Sequence, residues 1–251
     1  IQEFMIIPSS KYRFKEGLMK SVEVYMNLKK HLSDKGHSIS VGDEGGFAPN
    51  LGRSEEVLET IITSIEEIGL VYLDDISIAL DCAASELYQD NSYHLAGEGK
   101  KLSSDQMVEY ITELSKKYEI KSIEDPFDEG DWDSWKKFTK LNDNLQVVGD
   151  DIFVTQEEIL KKGIDENAAN SILVKLNQVG TLSETMRTIS LAKENNFGTV
   201  ISHRSGETED TFISDLAVAV DAKQIKTGAP ARSDRTAKYN RLLIIEDELY
   251  P

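Results

Sequence analysis

The 251 residues carry 45 acidic against 28 basic side chains, a net charge of −17 at neutral pH, and 39% of them are apolar. That is core enough for one large α/β domain or two small ones, while the acidic surplus disfavours nucleic-acid and anionic-membrane partners, which require clustered Lys and Arg. No apolar run approaches the roughly 18 residues that span a bilayer, and the single cysteine, Cys82, rules out an intramolecular disulfide and fits a reducing cytosol.

In chain order, Glu3 to Ile7 reads as a first strand, and Val41 to Asn50 as a polar, Gly-rich loop carrying Glu44. Val57, Leu58, Ile61, Ile62, Ile65 and Ile68 recur on one helical face, as do Met107, Tyr110, Ile111, Leu114 and Tyr118. Six further short apolar stretches read as strands: Ser77 to Cys82, Lys121 to Asp125, Gln146 to Asp150, Ser171 to Leu176, Thr199 to His203 and Gln224 to Thr227. Ser103, Thr155 and Thr181 are each followed three residues later by Gln or Glu, the spacing of a capping box at a helix start. Strand and helix alternating at this pitch predict a parallel sheet with right-handed crossovers. No linker or composition break marks a domain boundary.

The strand ends separate an open sheet from a barrel. Asp81, Glu124, Asp150, Lys175, His203 and Lys226 stand at or near six successive C-terminal ends, at intervals of 43, 26, 25, 28 and 23 residues. All but the first interval are the length of one βα unit, so a closed barrel brings these groups to one mouth. An open sheet spreads them along a line and favours a Gly-rich phosphate turn after its first strand, which is absent. Taken singly, each carboxylate is more readily a helix cap or a rim charge. Together they repel one another unless a cation sits among them. Asp81, Glu124 and Asp150 offer hard oxygen donors without His or Cys, which suits Mg²⁺ best and Mn²⁺ next. Strand alternation turns Asp125 and Asp151 to the opposite face and removes them from the set.

Lys175 and Lys226 lie in apolar surroundings, where burial and nearby cations lower an ammonium pKa and make a general base possible. The plainer alternative for either is an ion pair with a strand-end carboxylate. Ser202 to Thr211 follows a strand and opens a helix, so that Arg204, Ser205 and neighbouring N–H groups can hold a phosphate or carboxylate. His203 is as readily a structural hydrogen-bonder as a functional one. A metal, two lysines, an anion clamp and a movable acid together describe proton abstraction beside a carboxylate.

The strings Q-E-F-M-I, G-D-E-G-G, L-D-C-A, S-I-E-D-P-F, G-D-D, V-K-L-N-Q-V-G-T-L-S-E-T, S-H-R-S-G-E-T-E-D-T and I-K-T-G-A-P-A-R-S-D-R occur in an order that resembles the enolase family along nearly the whole chain. The resemblance implies an enolase-type (β/α)₈ TIM barrel over residues 1–251, with Mg²⁺-dependent, reversible dehydration of 2-phosphoglycerate to phosphoenolpyruvate in glycolysis. It implies that Asp81, Glu124 and Asp150 are Mg²⁺ ligands, Lys175 the base at C2, Glu44 the acid at the C3 hydroxyl and Glu3 a carboxylate supporting that acid. Gln2, His203, Arg204, Ser205 and Lys226 correspond to substrate contacts. A cytoplasmic homodimer is implied as well. Family members carry an N-terminal α+β domain and a first barrel strand ahead of Q-E-F-M, so seven strands are expected here where a closed barrel has eight, and residues 1–251 alone are expected to turn over weakly or not at all. Two rivals remain: an acid-sugar dehydratase of the same superfamily, and a non-catalytic scaffold or plasminogen-binding surface protein.

Overall fold

The computed structural model describes residues 1–251. Its elements are, in chain order, β1 (Glu3–Pro8), α1 (Phe14–Asp34), α2 (Ser54–Glu66), β2 (Ile76–Asp81), β3 (Tyr88–Gln89), β4 (Ser92–Leu95), β5 (Lys100–Leu102), α3 (Ser104–Lys117), β6 (Ser122–Glu124) and α4 (Trp132–Leu141). They continue as β7 (Gln146–Gly149), α5 (Glu157–Asp165), β8 (Ser171–Val174), α6 (Leu176–Val179), α7 (Leu182–Glu194), β9 (Gly198–Ser202), α8 (Phe212–Ala219), β10 (Gln224–Lys226) and α9 (Ser233–Leu249). Seven strands form one sheet in the order β1-β2-β6-β7-β8-β9-β10, the sequence order of the expected strands. The pairs β2 with β6, β6 with β7 and β7 with β8 are parallel. No helix is long and apolar enough to cross a membrane.

The chain divides into two compact units. One comprises Ile1–Met5 with Ile78–Val200, the other Ile6–Ser77 with Ile201–Pro251. In the first unit, β6 to β8 are buried along most of their length because helices cover them, which is why they read as continuous apolar runs. Val148, Leu173 and Val200 pack together in its interior. α3 begins with a full capping box, Ser103 and Gln106 each satisfying the other's backbone N–H, and Thr181 accepts the Glu184 N–H at the start of α7.

Thr155 does not cap a helix. The expected box fails because Thr155 has a left-handed backbone, φ 57°, and α5 starts after Gln156 with no side-chain cap. Its hydroxyl is engaged elsewhere, in the site described below.

The long 43-residue interval also has a structural reason. Between β2 and α3 lies a separate antiparallel sheet in the order β3-β4-β5. Asp90 and Asn91 connect β3 to β4 with φ of 50° and 56°, the paired left-handed conformation that a tight hairpin requires and that Asp and Asn tolerate. Tyr93 anchors this sheet. Its hydroxyl donates to Asp131 Oδ2 at 2.8 Å and accepts the Asp128 N–H at 3.0 Å, while Asp131 also receives Ser104 Oγ at 2.7 Å and caps α4.

In the second unit, α1 packs on α2 and α9, and α8 on α9. Leu58, Ile61 and Ile65 of the predicted α2 stripe are buried, whereas Ile62 and Ile68 are half-buried. Asp215 of α8 takes a forked pair from Arg241 of α9, with the Arg241 Nε 3.0 Å from both carboxylate oxygens.

Candidate active site

In the first unit, the parallel register sets Asp81 beside Glu124 and Glu124 beside Val148. Asp150 follows directly after the end of β7. All three carboxylates are buried. Asp81 Oδ1 accepts the Ala83 N–H at 3.0 Å. Gln2 donates its backbone N–H to the Asp81 carbonyl at 3.0 Å, which places Glu3 at the start of β1, half-buried. Burial pushes the Cys82 thiol up. An oxygen-only set suits Mg²⁺ first and Mn²⁺ second, but the register sets only Asp81 beside Glu124, and the acidic group whose ligand atoms converge is Asp125, Asp150 and Asp151.

Asp125 departs from the sequence expectation. It leaves the strand with φ 42°, so alternation no longer governs its direction. Its two oxygens accept the N–H groups of Asp150 and Asp151, each at 2.9 Å. Carboxylate oxygens of Asp125, Asp150 and Asp151 lie within 4.8 Å of one another. Burial, aided by the Asp150 charge, raises the Asp125 carboxyl well above the usual range, against the two backbone donors. With both oxygens committed to the peptide that carries Asp150, Asp125 orients a candidate ligand.

Lys175 follows β8 and forms an ion pair with Asp150 Oδ2; its side chain is 17% exposed and that of Asp150 9%. Gln178 Nε2 donates to the other Asp150 oxygen at 3.2 Å. Thr155 joins the two, accepting the Lys175 N–H at 3.0 Å and donating to Gln178 Oε1 at 2.7 Å. Sequence reasoning missed Thr155 and Gln178. The V-K-L-N-Q-V string contains Gln178, but only the fold brings Thr155 to it.

In the second unit, the Glu44 loop is held from several sides. Gly42 and Gly46 bond at 2.9 Å, Tyr25 donates its hydroxyl to the Gly45 carbonyl at 2.9 Å, and Tyr25 stacks on Phe47. The Glu44 carbonyl accepts the Ala229 N–H at 2.9 Å. Gly228 has φ 85°, and a Cβ there would lie 2.7 Å from the Glu44 carbonyl oxygen. Gly228→Ala is therefore expected to lose about 1–3 kcal/mol for a left-handed non-glycine residue, measured by urea unfolding. Unchanged stability would show that the loop gives way freely.

Glu44 Oε2 lies 3.2 Å from His203 Nε2, and the imidazole is 2% exposed. Burial works to raise the Glu44 carboxyl, but the hydrogen bond from His203, then the cations Lys226 and Arg235, outweigh it and lower it. Burial lowers His203, reinforced by Arg235 and Lys226, with Glu44 opposing. Glu44 is thus a carboxylate facing a neutral imidazole. The Lys226 carbonyl accepts the His203 N–H at 3.0 Å, and Lys226 ends β10, half-buried.

Arg204 is half-buried and Ser205 exposed. They do not open a helix: α8 begins only at Phe212. The intervening loop is held instead from α9. Lys238, 1% exposed, reaches Glu207 Oε2 at 3.1 Å and the carbonyls of Thr208 and Asp234. Arg235 binds the carbonyls of Arg204 and Ser205, each at 2.7 Å.

A family model described as "Enolase, C-terminal TIM barrel domain" matches residues 1–250. The chain is 55% identical over 251 residues to a curated protein named "Enolase" from Natranaerobius thermophilus, a match that takes in the whole of this chain and 59% of that relative.

Proposed function

Since the chain belongs to the enolase family through its C-terminal TIM barrel domain, we propose that the full-length protein interconverts 2-phosphoglycerate and phosphoenolpyruvate in glycolysis. The observation that carries this reading is the Lys175–Asp150 pair, which is also the ion pair of the plainer alternative and sets an amino group against a candidate ligand at neighbouring strand ends. Asp81, Glu124 and Asp150 would hold Mg²⁺, or Mn²⁺ in its place. Bound there, the ion would supply electrostatic stabilisation of charge growing on the substrate carboxylate.

Lys175, as the free amine, takes the proton from C2. Electrons from that C–H bond are first held on the substrate carboxylate, and in a second step they form the C2–C3 double bond as the C3–O bond breaks. The departing hydroxyl takes a proton from Glu44 and leaves as water. His203 donates to Glu44, and Glu3 supports it. Gln2, Arg204, Ser205 and Lys226 bind the substrate's anionic groups. Because Glu44 rests as a carboxylate, it is set up to receive a proton from water in the hydration direction. It must be protonated before dehydration. A phosphorylated acid lying against Lys226 offsets one of the cations that depress it. A cytoplasmic setting and a homodimer belong to the same proposal.

The test follows the conjugated enol product formed from 2-phosphoglycerate by the full-length protein, in Mg²⁺ and in chelator, beside a panel of sugar acids. We expect Mg²⁺-dependent product from 2-phosphoglycerate alone. Turnover of sugar acids only, or a rate indifferent to chelation, defeats the proposal.

A further inference from the structure

Arg235 has no role in the reading above, yet it is 0% exposed and four of its five N–H donors are used. One Nη1 proton meets His203 Nδ1 and the other the Arg204 carbonyl; Nη2 serves the carbonyls of Ser205 at 2.7 Å and Asp43 at 3.2 Å. Nε lies 3.2 Å from Asp234 Oδ2. A guanidinium only donates, so His203 Nδ1 must be the acceptor and carry no proton. The neutral ring then bears its proton on Nε2, 3.2 Å from Glu44 Oε2. Asp43 and Glu44 are adjacent, so the same guanidinium holds both the loop that carries the acid and the ring that faces it.

We infer that Arg235 is a positioning residue that fixes His203 as its Nε2–H tautomer and thereby keeps a hydrogen-bond donor on the Glu44 carboxylate. The inference rests on the proposed role of Glu44. With the tautomer reversed, Nε2 would present a lone pair to a carboxylate, and the two acceptors would repel. The wrong tautomer leaves geometry intact and still disables proton transfer.

Ring ¹⁵N spectra of the histidines in the full-length protein at neutral pH, with His203 assigned by its loss in His203→Asn, read the tautomer directly. The parent is expected to have His203 protonated on Nε2 and bare on Nδ1. In Arg235→Met, which keeps length and removes every donor, His203 should become a mixture of tautomers. The kcat for 2-phosphoglycerate should fall roughly 10- to 100-fold, with KM changed far less. Arg235→Lys, retaining a cation and a donor, should recover part of both. A merely structural role would lower stability and leave the tautomer alone. A parent ring protonated on Nδ1 overturns the inference without any variant having to fold, and so does an Arg235→Met protein that keeps the Nε2–H form. Should the parent fail to act on 2-phosphoglycerate, the proposed function falls while the spectra still decide the role of Arg235.

Discussion

Lys175→Ala in the full-length protein is expected to slow exchange of the C2 proton of 2-phosphoglycerate with solvent by roughly 10²- to 10⁴-fold, the usual contribution of a general base. Exchange into deuterated water, followed by NMR, measures it. The substitution also strips Asp150 of its ammonium partner. Breaking a buried pair from one side costs roughly 3–5 kcal/mol when nothing replaces the lost charge, and partial exposure of Lys175 reduces that. Loss of activity could therefore reflect a disturbed Asp150. Lys175→Arg separates the causes, because a guanidinium still pairs with the carboxylate but remains protonated at any working pH. It should restore stability and leave exchange lost. In Lys175→Ala, Mg²⁺ should bind at least as tightly as in the parent, since a competing cation has gone from Asp150. Exchange at the parental rate in either variant would remove Lys175 from the base role.

Glu44→Gln should give the complementary result, with exchange at C2 retained and dehydration reduced by roughly 10²- to 10⁴-fold. The amide oxygen can still accept the Nε2–H of His203, so the 3.2 Å contact has a chemical successor. The Ala229 and Tyr25 bonds to the loop are to backbone carbonyls and do not depend on the side chain. What disappears is the capacity to carry a proton. Rates of exchange and of product formation measured on one sample distinguish the two steps. A variant that dehydrates normally but no longer exchanges would reverse the acid and base assignments.

Much of the frame is legible because it is written in local patterns. Apolar runs such as S-I-L-V become β8, and the capping spacings at Ser103 and Thr181 become helix starts. Charged residues at run ends mark Asp81, Glu124, Asp150 and Lys175. The groups that hold them are not legible in this way. Asp125 looks like the outward member of a strand until its left-handed φ redirects it. Thr155 carries a sound capping spacing, yet a bond to a backbone N–H twenty residues later claims its hydroxyl. Arg235 is one more arginine in A-R-S-D-R, and its partners lie 30 to 32 residues back or, for Asp43, 192. Side-chain bonds of such range leave no periodic trace.

The grip of α9 on the preceding loop bears on the order of assembly. Arg235 and Lys238 both belong to α9, which follows β10 in the sequence, and supply the bonds that fix the carbonyls of Arg204, Ser205 and Thr208. During synthesis, these anchors leave the ribosome after every strand has already emerged. The sheet can pair beforehand, and His203 can bond Lys226, but the carbonyls of Arg204, Ser205 and Thr208 lack their anchors until α9 docks. A released chain truncated before Ser233 should thus protect its β-strand amides from exchange while leaving residues 203–211 open to proteases, a late and separately vulnerable stage of assembly.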